Sequence, residues 1–252
     1  MIFTRDLVTY CNKLLGTELY RDYAPNGLQV EGRPTVSKIV SGVTASQRLI
    51  EAAIAAGADL LLVHHGYFWK SESPTLTGIK RQRIKLLLEH DINLLAYHLP
   101  LDGHHQLGNN AELGRIWGFT VDGRFGEGAN GGLGMMATLN QPLPVTQLAE
   151  QIGKSLGRQP FLCSGDRRLV QKVGWCSGGA QDWFEAAIAA GVDAFISGEI
   201  SEQTVHLARE TGVHYIAAGH HATERYGVQA LGERLAETFA LPHQFIDIDN
   251  PI

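Results

Sequence analysis

The hydrophobic pattern alternates along most of the chain between helical spacing and short continuous apolar runs. Strand-like runs fall near residues 37–43, 59–63, 92–97, 134–139, 170–176, 193–197, 213–218 and 243–247. Segments with helical spacing fall near 4–15, 46–56, 79–90, 109–117, 144–156, 181–190, 202–211 and 222–238. This alternation predicts an α/β fold, in which helices flank layers of mostly parallel strands.

The chain also contains an internal repeat. The segment EAAIAAG occurs at 51–57 and again at 185–191, so the second copy begins 134 residues after the first. The flanking strands keep this register, because ADLLLVHHG (58–66) aligns with VDAFISGEI (192–200) and VSKIV (36–40) with VQKVG (170–174). Alanine-rich helix matches are common, but agreement of the flanking strands favours duplication. The sequence therefore predicts two similar layered α/β units.

The predicted boundaries place residues 1–122 and 192–252 in a metal-binding α/β domain and 123–191 in a second α/β portion. The glycine-rich passage DGRFGEGANGGLG at 122–134 is the predicted junction. Its Gly126, Gly128 and Gly131 have the G-x-G-x-x-G spacing of dinucleotide-binding loops. Such a motif closes a strand and opens a helix, whereas here the strand-like GMMATL follows. We therefore predict a simple loop.

Charge and cysteine content exclude several classes of protein. The 252-residue chain has 21 basic and 26 acidic residues and a net charge of −5, so it has no global basic field for nucleic acid. Its one dense basic run, KRQRIK at 80–85, is typical of a solvated helix face. The three cysteines form no CxxC pair, which argues against a zinc ribbon or dithiol chemistry. With no signal peptide and no apolar run near the ~18 residues that span a bilayer, we expect a cytoplasmic protein without a membrane partner.

Histidines and carboxylates gather just after three predicted strands. They are His64 and His65 after LLLV, His98 and Asp102 after INLLA, and His220, His221 and Glu224 after VHYIAAG. Ligands of open α/β sheets bind at the carboxyl ends of strands, so these segments can converge. A single histidine pair is more often a surface feature, but two pairs and an aspartate at equivalent strand ends favour a metal site. Residues 220 and 224 also share one helix face.

Other aromatic and histidine residues receive different predictions. Tyr67, Phe68 and Trp69 either stack on a base or pack the turn, and both interpretations stay open. His104 and His105 lie in a polar loop and are predicted to be surface residues. The remaining histidines are expected to have packing or surface roles; they are His90, His206, His214 and His243.

The donor set sets limits on the number and kind of ions. Five side chains are predicted to bind metal: His64, His65, Asp102, His220 and Glu224. This number is ample for one ion, but it is sparse for two ions unless Glu224 bridges them. Mixed imidazole and carboxylate donors suit Zn, Fe or Mn. Two ions about 3.5–4 Å apart can deprotonate a water between them and clamp substrate oxygens.

Six motifs, DYAPNGLQVEG, VHHGYFW, HLPLD, LGNN, DAFISGE and AAGHHATER, resemble those of the Ngg-interacting-factor-three-like family of dinuclear-metal proteins. This family includes the bacterial YbgI-type proteins and the GTP cyclohydrolase 1 type 2 homologues, and the resemblance spans nearly the whole chain. It implies two α/β domains from a duplication, a toroidal homohexamer and two divalent ions per chain. By motif, it implies that His65 and Asp102 serve one ion, His64 and His220 the other, and that Glu224 touches both.

The expected function is that of a metal-dependent hydrolase acting on a nucleotide or another ring-containing small molecule, as in a GTP cyclohydrolase. His98 and Glu199 are candidates for supporting the ligands or for proton transfer, and Glu199 occupies the repeat position of His65. The alternative is a non-catalytic or DNA-associated ring that metals stabilise. Salt-dependent DNA binding that is lost on changing Arg81 and Arg83 would favour this alternative.

Overall fold

The computed structural model describes residues 1–128, 131–166 and 169–252. Its strands are β1 (Ile2–Phe3), β2 (Gly27–Val30), β3 (Thr35–Val36), β4 (Ile39–Thr44), β5 (Leu60–His65), β6 (Asn93–Ala96), β7 (Gly123–Phe125), β8 (Gly134–Leu143), β9 (Phe161–Cys163), β10 (Val170–Trp175), β11 (Ala194–Ser197), β12 (His214–Ala217) and β13 (His243–Phe245). Its helices are α1 (Thr4–Leu15), α2 (Gln47–Ala55), α3 (Gly78–Glu89), α4 (Leu99–Gly103), α5 (Asn109–Trp117), α6 (Val145–Leu156), α7 (Phe184–Ala189), α8 (Glu202–Thr211), α9 (His220–Thr223) and α10 (Arg225–Phe239). The predicted α/β class is confirmed. None of the described helices combines the length and apolar character needed to cross a membrane.

The chain forms two compact units. Unit 1 comprises Met1–Leu101 and Gly227–Asp249, and unit 2 comprises Asp102–Tyr226 and Asn250–Ile252. This division differs from the predicted one, which joined 192–252 to 1–122 and set 123–191 apart. Residues 192–226 belong to unit 2 because β11 and β12 continue the sheet of β10 in parallel pairing.

The glycine-rich passage at 122–134 lies within unit 2 and is not the junction between the two units. The strand β8 follows this passage, as expected where the dinucleotide-binding motif is absent. The prediction of a simple loop is wrong for the start of the passage, because β7 (Gly123–Phe125) pairs there with β8. Residues 129 and 130 of the passage lie outside the described residues.

The sheet of unit 1 has the strand order β13-β4-β5-β6-β2, in which β13, β4, β5 and β6 are parallel and β2 is antiparallel to β6. Both faces of this sheet are covered. Along β5, Leu60 and Leu62 point to a core shared with α1 and α10, whereas Leu61 and Val63 point to a core shared with α2 and α3. Because helices bury both faces of the sheet, the sequence of β5 is a continuous apolar run up to its histidines.

The sheet of unit 2 has the order β7-β8-β10-β11-β12-β9, with parallel pairing among β10, β11 and β12 and antiparallel strands on both sides of them. One face packs against α5 and α6 through Trp175 and Ile196. The other face is aromatic, because Phe195 stacks on Phe184 of α7 and meets Tyr215 of β12 edge to face. The carboxyl ends of the parallel strands lead into the loops that carry the polar residues of this unit.

Candidate metal-binding residues

In unit 1, the adjacent histidines end the central parallel strand β5. Nδ1 of the buried His64 donates to the carbonyl oxygen of Tyr97 over 2.9 Å. Nδ1 of His65 lies 3.2 Å from the hydroxyl of Thr44, on the neighbouring strand β4. Because a carbonyl oxygen only accepts, the ring of His64 carries its proton on Nδ1, and the lone pair of the neutral ring is then on Nε2. This tautomer is the one that binds a metal through Nε2.

His98 lies with this pair. One ring nitrogen from each of His64, His65 and His98 lies within 4.8 Å of the other two, a separation that suits ligands of one ion. The ring centroid of His98 is 5.1 Å from that of His64 and 4.9 Å from that of Trp69. The sequence marked His98 as a supporting residue, and the structure places its imidazole within the histidine group itself.

Asp22 orients His98. Its Oδ1 accepts a hydrogen bond from Nδ1 of His98 at 2.7 Å, and its Oδ2 accepts from the amide nitrogens of the Asn26 side chain and the Leu99 backbone. Burial works to raise the pKa of Asp22, but the bond and charge of His98, with these further donors, outweigh burial and hold the pKa at about 2. The carboxylate therefore stays charged and fixes the ring of His98.

The aromatic residues that follow β5 divide between two roles. Tyr67 is buried, and its hydroxyl donates to the carbonyl oxygen of Ala45 over 2.7 Å, so it packs the turn. The half-buried Trp69 instead places its ring centroid 5.9 Å from that of His65. Trp69 is therefore the aromatic residue of this turn that lies beside the histidine group.

In unit 2, Asp102 is held in place by two neutral donors. Its Oδ1 accepts from Nδ2 of Asn109 and from the hydroxyl of Ser177, both at 2.9 Å. The carboxylate is buried. These donors fix the orientation of the buried carboxylate, as the supporting hydrogen bonds of a metal ligand do.

Glu224 lies beside Asp102 and His220. An oxygen of Glu224 is within 4.8 Å of one from Asp102, and its Oε2 is 3.0 Å from Nε2 of His220. The predicted continuous helix at 222–238 is broken at Glu224, which ends α9 before α10 begins. Gly178 has a φ of +65°, and a Cβ there would overlap Oε1 of Glu224. The position of this carboxylate thus depends on a glycine at 178.

Glu199 orients His220 from the other side of the ring. Nδ1 of His220 donates to Oε1 of Glu199 over 2.6 Å. Burial works to lower the pKa of His220, but the hydrogen bonds and charges of Glu224 and Glu199 outweigh burial and raise the pKa to about 9. Two carboxylates on one imidazole are an arrangement that favours a cation, and a divalent ion can take the place of the ring proton at Nε2.

The structure corrects one histidine prediction and supports others. His104 is 8% exposed, so the prediction of a surface residue is wrong for it, whereas His105 is exposed as expected. Nδ1 of His104 accepts from the backbone amides of Gln106 and Leu107, which makes it part of the turn before α5. His214 is buried and accepts from a backbone amide, in keeping with a packing role.

Sequence reasoning missed four residues that position these donors: Asp22, Asn109, Ser177 and Gly178. Asp22 opens the motif DYAPNGLQVEG and Asn109 lies in LGNN, where nothing in the local pattern indicates their partners. Ser177 and Gly178 follow β10 after one intervening residue, so their place at the carboxyl end of a parallel strand was the available signal.

The chain was compared with known proteins. It matches the family model Duf34/NIF3 (NGG1p interacting factor 3) over residues 3–251. A GTP cyclohydrolase 1 type 2 homolog of Pseudomonas aeruginosa is 53% identical over 245 residues, which cover 97% of each chain, and one of Vibrio cholerae is 55% identical over 243 residues, which cover 96% of each. The solved structure of protein ybgI, described as of unknown function, is similar with a TM-score of 0.94, 51% identity and complete coverage of both chains.

Proposed function

The chain belongs to the Duf34/NIF3 (NGG1p interacting factor 3) family, and from this premise we propose that it is a dinuclear metal protein that acts as a metal-dependent hydrolase. Its proposed substrate is a nucleotide or another ring-containing small molecule. The observation that carries the proposal is the state of three imidazoles, His64, His65 and His220, each of which is engaged through Nδ1. Such contacts fix the orientation of metal-binding histidines, and that of His64 also fixes the tautomer whose lone pair is on Nε2.

The proposed ligands are those that the sequence motifs imply. His64, His65, Asp102, His220 and Glu224 would hold two divalent ions, with Glu224 shared. Two observations support this set of ligands. Histidines group at the end of β5, and the buried carboxylates of Asp102 and Glu224 have oxygens within 4.8 Å of each other. Imidazole and carboxylate together suit Zn, Fe or Mn.

The chemistry follows from these groups. When bound, two divalent ions supply a Lewis acid and lower the pKa of a water molecule. His98, whose Nδ1 is fixed by Asp22, presents its Nε2 to a proton that moves during hydrolysis. Glu199 keeps the ring of His220 oriented. The ring of Trp69 beside His65 gives a planar substrate a surface on which to stack.

The substrate class and the assembly rest on relatives. The relatives of Pseudomonas aeruginosa and Vibrio cholerae carry the name GTP cyclohydrolase 1 type 2 homolog, which favours hydrolytic opening of a purine ring as the reaction to test first. We further propose a toroidal homohexamer, on the resemblance of the sequence motifs to this family.

The alternative of a DNA-associated ring draws no support from the basic run at 80–85. In α3, Nζ of Lys80 pairs with Glu72 at 3.4 Å and Nζ of Lys85 with Glu89 at 3.2 Å. These pairs reduce the positive charge that phosphate binding needs. The hydrolase is therefore the function we propose.

The test is turnover. The purified chain, loaded separately with Mn, Zn or Fe, is incubated with a panel of nucleotides that includes GTP, and products are separated chromatographically. We expect metal-dependent loss of the purine absorbance for at least one nucleotide, and no loss with Glu224→Gln. Absence of metal-dependent turnover across the whole panel would contradict the proposal.

A further inference from the structure

Unit 2 contains a cleft of about 610 Å³, and the residue that precedes His220 in the chain is part of its lining. Its walls include Arg158, Phe161, Glu199, Gly219 and Ile252. Glu199 also carries the hydrogen bond to His220, so the cleft and a proposed metal ligand share one side chain. The volume lies in the range of small-molecule sites, about 300–1,000 Å³.

Arg158 gives the cleft a positive charge. The residue is half-buried, and among the described residues its guanidinium forms no ion pair and no side-chain hydrogen bond. A guanidinium that is partly removed from water without an anionic partner is costly, unless a ligand supplies that partner. Its planar fork matches a phosphate or carboxylate group with two parallel hydrogen bonds.

Gly219 leaves room for this guanidinium. A Cβ at 219 would lie 2.8 Å from both Cδ and Cζ of Arg158, so the guanidinium can rest on the backbone only because the residue is glycine. Gly219 also has a φ of +103°, which favours glycine, and it directly precedes His220. The cation is thereby held close to a proposed metal ligand.

The other two walls suit the rest of a nucleotide. Phe161, on the edge strand β9, is 58% exposed although it is a large apolar side chain, and its ring can stack on a base. Glu199 has acceptor capacity beyond its bond to His220, since a carboxylate accepts about four hydrogen bonds. An amino or ring N–H group of a base can donate to it.

We propose that this cleft binds the substrate, with the anionic group on Arg158 and the planar ring on Phe161. The ligand class is a phosphorylated compound with a planar heterocycle, such as a nucleoside monophosphate. The inference rests on the proposed function, because it takes the cleft as the place where that substrate is held. Arg158 and Phe161 are then specificity-determining residues.

Equilibrium dialysis tests the proposal with GMP and guanosine as probes on the full metal-loaded chain, with the metal content of every variant measured in parallel. We expect GMP to bind more tightly than guanosine. Arg158→Gln should weaken GMP binding about ten- to a hundredfold, the effect of losing a charged hydrogen bond, and leave guanosine binding unchanged. Phe161→Ala should weaken both ligands. The control is Arg115→Gln, which removes an exposed arginine of the same unit outside the cleft.

Three outcomes would overturn the inference: equal affinity for GMP and guanosine, unchanged GMP binding in Arg158→Gln, or equal weakening in Arg115→Gln. If Arg158→Gln does not fold by circular dichroism, Arg158→Lys replaces it. This variant keeps the charge but loses the planar fork, so we expect intermediate affinity for GMP, and wild-type affinity would contradict the role of the fork. This experiment measures binding and not turnover. Binding of GMP that depends on Arg158, without turnover of any nucleotide, would therefore contradict the proposed hydrolase function but support the cleft as a binding site.

Discussion

Asp59 and Asp193 stand 134 residues apart and accept hydrogen bonds from equivalent backbone amides. Oδ2 of Asp59 accepts from the amides of residues 37 and 38 at 2.7 and 3.1 Å. Oδ2 of Asp193 accepts from those of residues 171 and 172 at 3.0 and 2.8 Å. Each aspartate directly precedes an inner parallel strand of its sheet and ties that strand to the start of the neighbouring strand. The equal offset of acceptors and donors supports the duplication that the repeated EAAIAAG segment predicts.

The first prediction concerns these two aspartates. Asp59→Ala and Asp193→Ala should each lower the free energy of unfolding by about 1–3 kcal/mol, because each leaves two backbone amides without their acceptor. Asp59→Ala should lower the free energy of unfolding by more than Asp193→Ala does, since Asp59 also pairs with Arg33. Urea denaturation of the metal-free chain measures both. Two variants as stable as the wild type would show that the equivalent bonds contribute nothing.

The sequence predicts the long elements well because their patterns are local. The helix at 109–117 and the strand near 59–63 follow from the hydrophobic pattern alone, although β5 continues beyond the predicted end through His65. The grouping of donors after strands was also predictable, because parallel strands bring their carboxyl ends to one edge. These predictions needed no knowledge of distant contacts.

The remaining features depend on contacts between distant parts of the chain. Strands of two or three residues such as β9 have no period to detect, and β9 exists because it pairs with β12. The division into units depends on which sheet each strand joins. Asp22 orients His98 across 76 residues of sequence, a relation that no local pattern indicates.

The second prediction concerns how the ions are divided between ligands. His64→Ala and His220→Ala should each remove mainly one of two bound ions, because each residue is assigned to a single ion. Metal content per chain after gel filtration, measured by atomic emission, gives the count. Equal loss of both ions in either variant would contradict the assignment while leaving metal binding itself intact.

The third prediction follows from the pKa of Asp22. The folded pKa of about 2 lies below the ordinary value of 3.8, so this carboxylate stabilises the fold above pH 3.8 and loses that effect as the pH falls through 2. Asp22→Asn should therefore lower the free energy of unfolding at pH 7 by about 2 kcal/mol and flatten its dependence on pH between about 4 and 2. Chemical denaturation of the metal-free chain across this range provides the measurement. The surface variant Asp6→Asn is the control and should keep the wild-type slope.

The fourth prediction concerns assembly. We expect sedimentation of the full chain at micromolar concentration to give the mass of a homohexamer, six times the 27.5 kDa of one chain. The expectation comes from family resemblance, since composition does not indicate an oligomeric state. A monomer at this concentration would contradict it.

The last prediction concerns Glu224, the proposed ligand of both ions. Glu224→Gln replaces the carboxylate with a neutral amide that has a single oxygen acceptor. Both ions should therefore bind to the protein less tightly. The change is nearly isosteric, and the contact with Gly178 should survive, so the fold is expected to stay intact. The matched control is Glu202→Gln, because Glu202 pairs with His206 at the same i, i+4 spacing and a similar distance, 2.9 Å, but at an exposed position of unit 2. Metal titration should show weaker binding at both sites for Glu224→Gln and wild-type binding for Glu202→Gln. Retention of two tightly bound ions by Glu224→Gln would indicate that another carboxylate, with Asp102 the nearest candidate, bridges the ions.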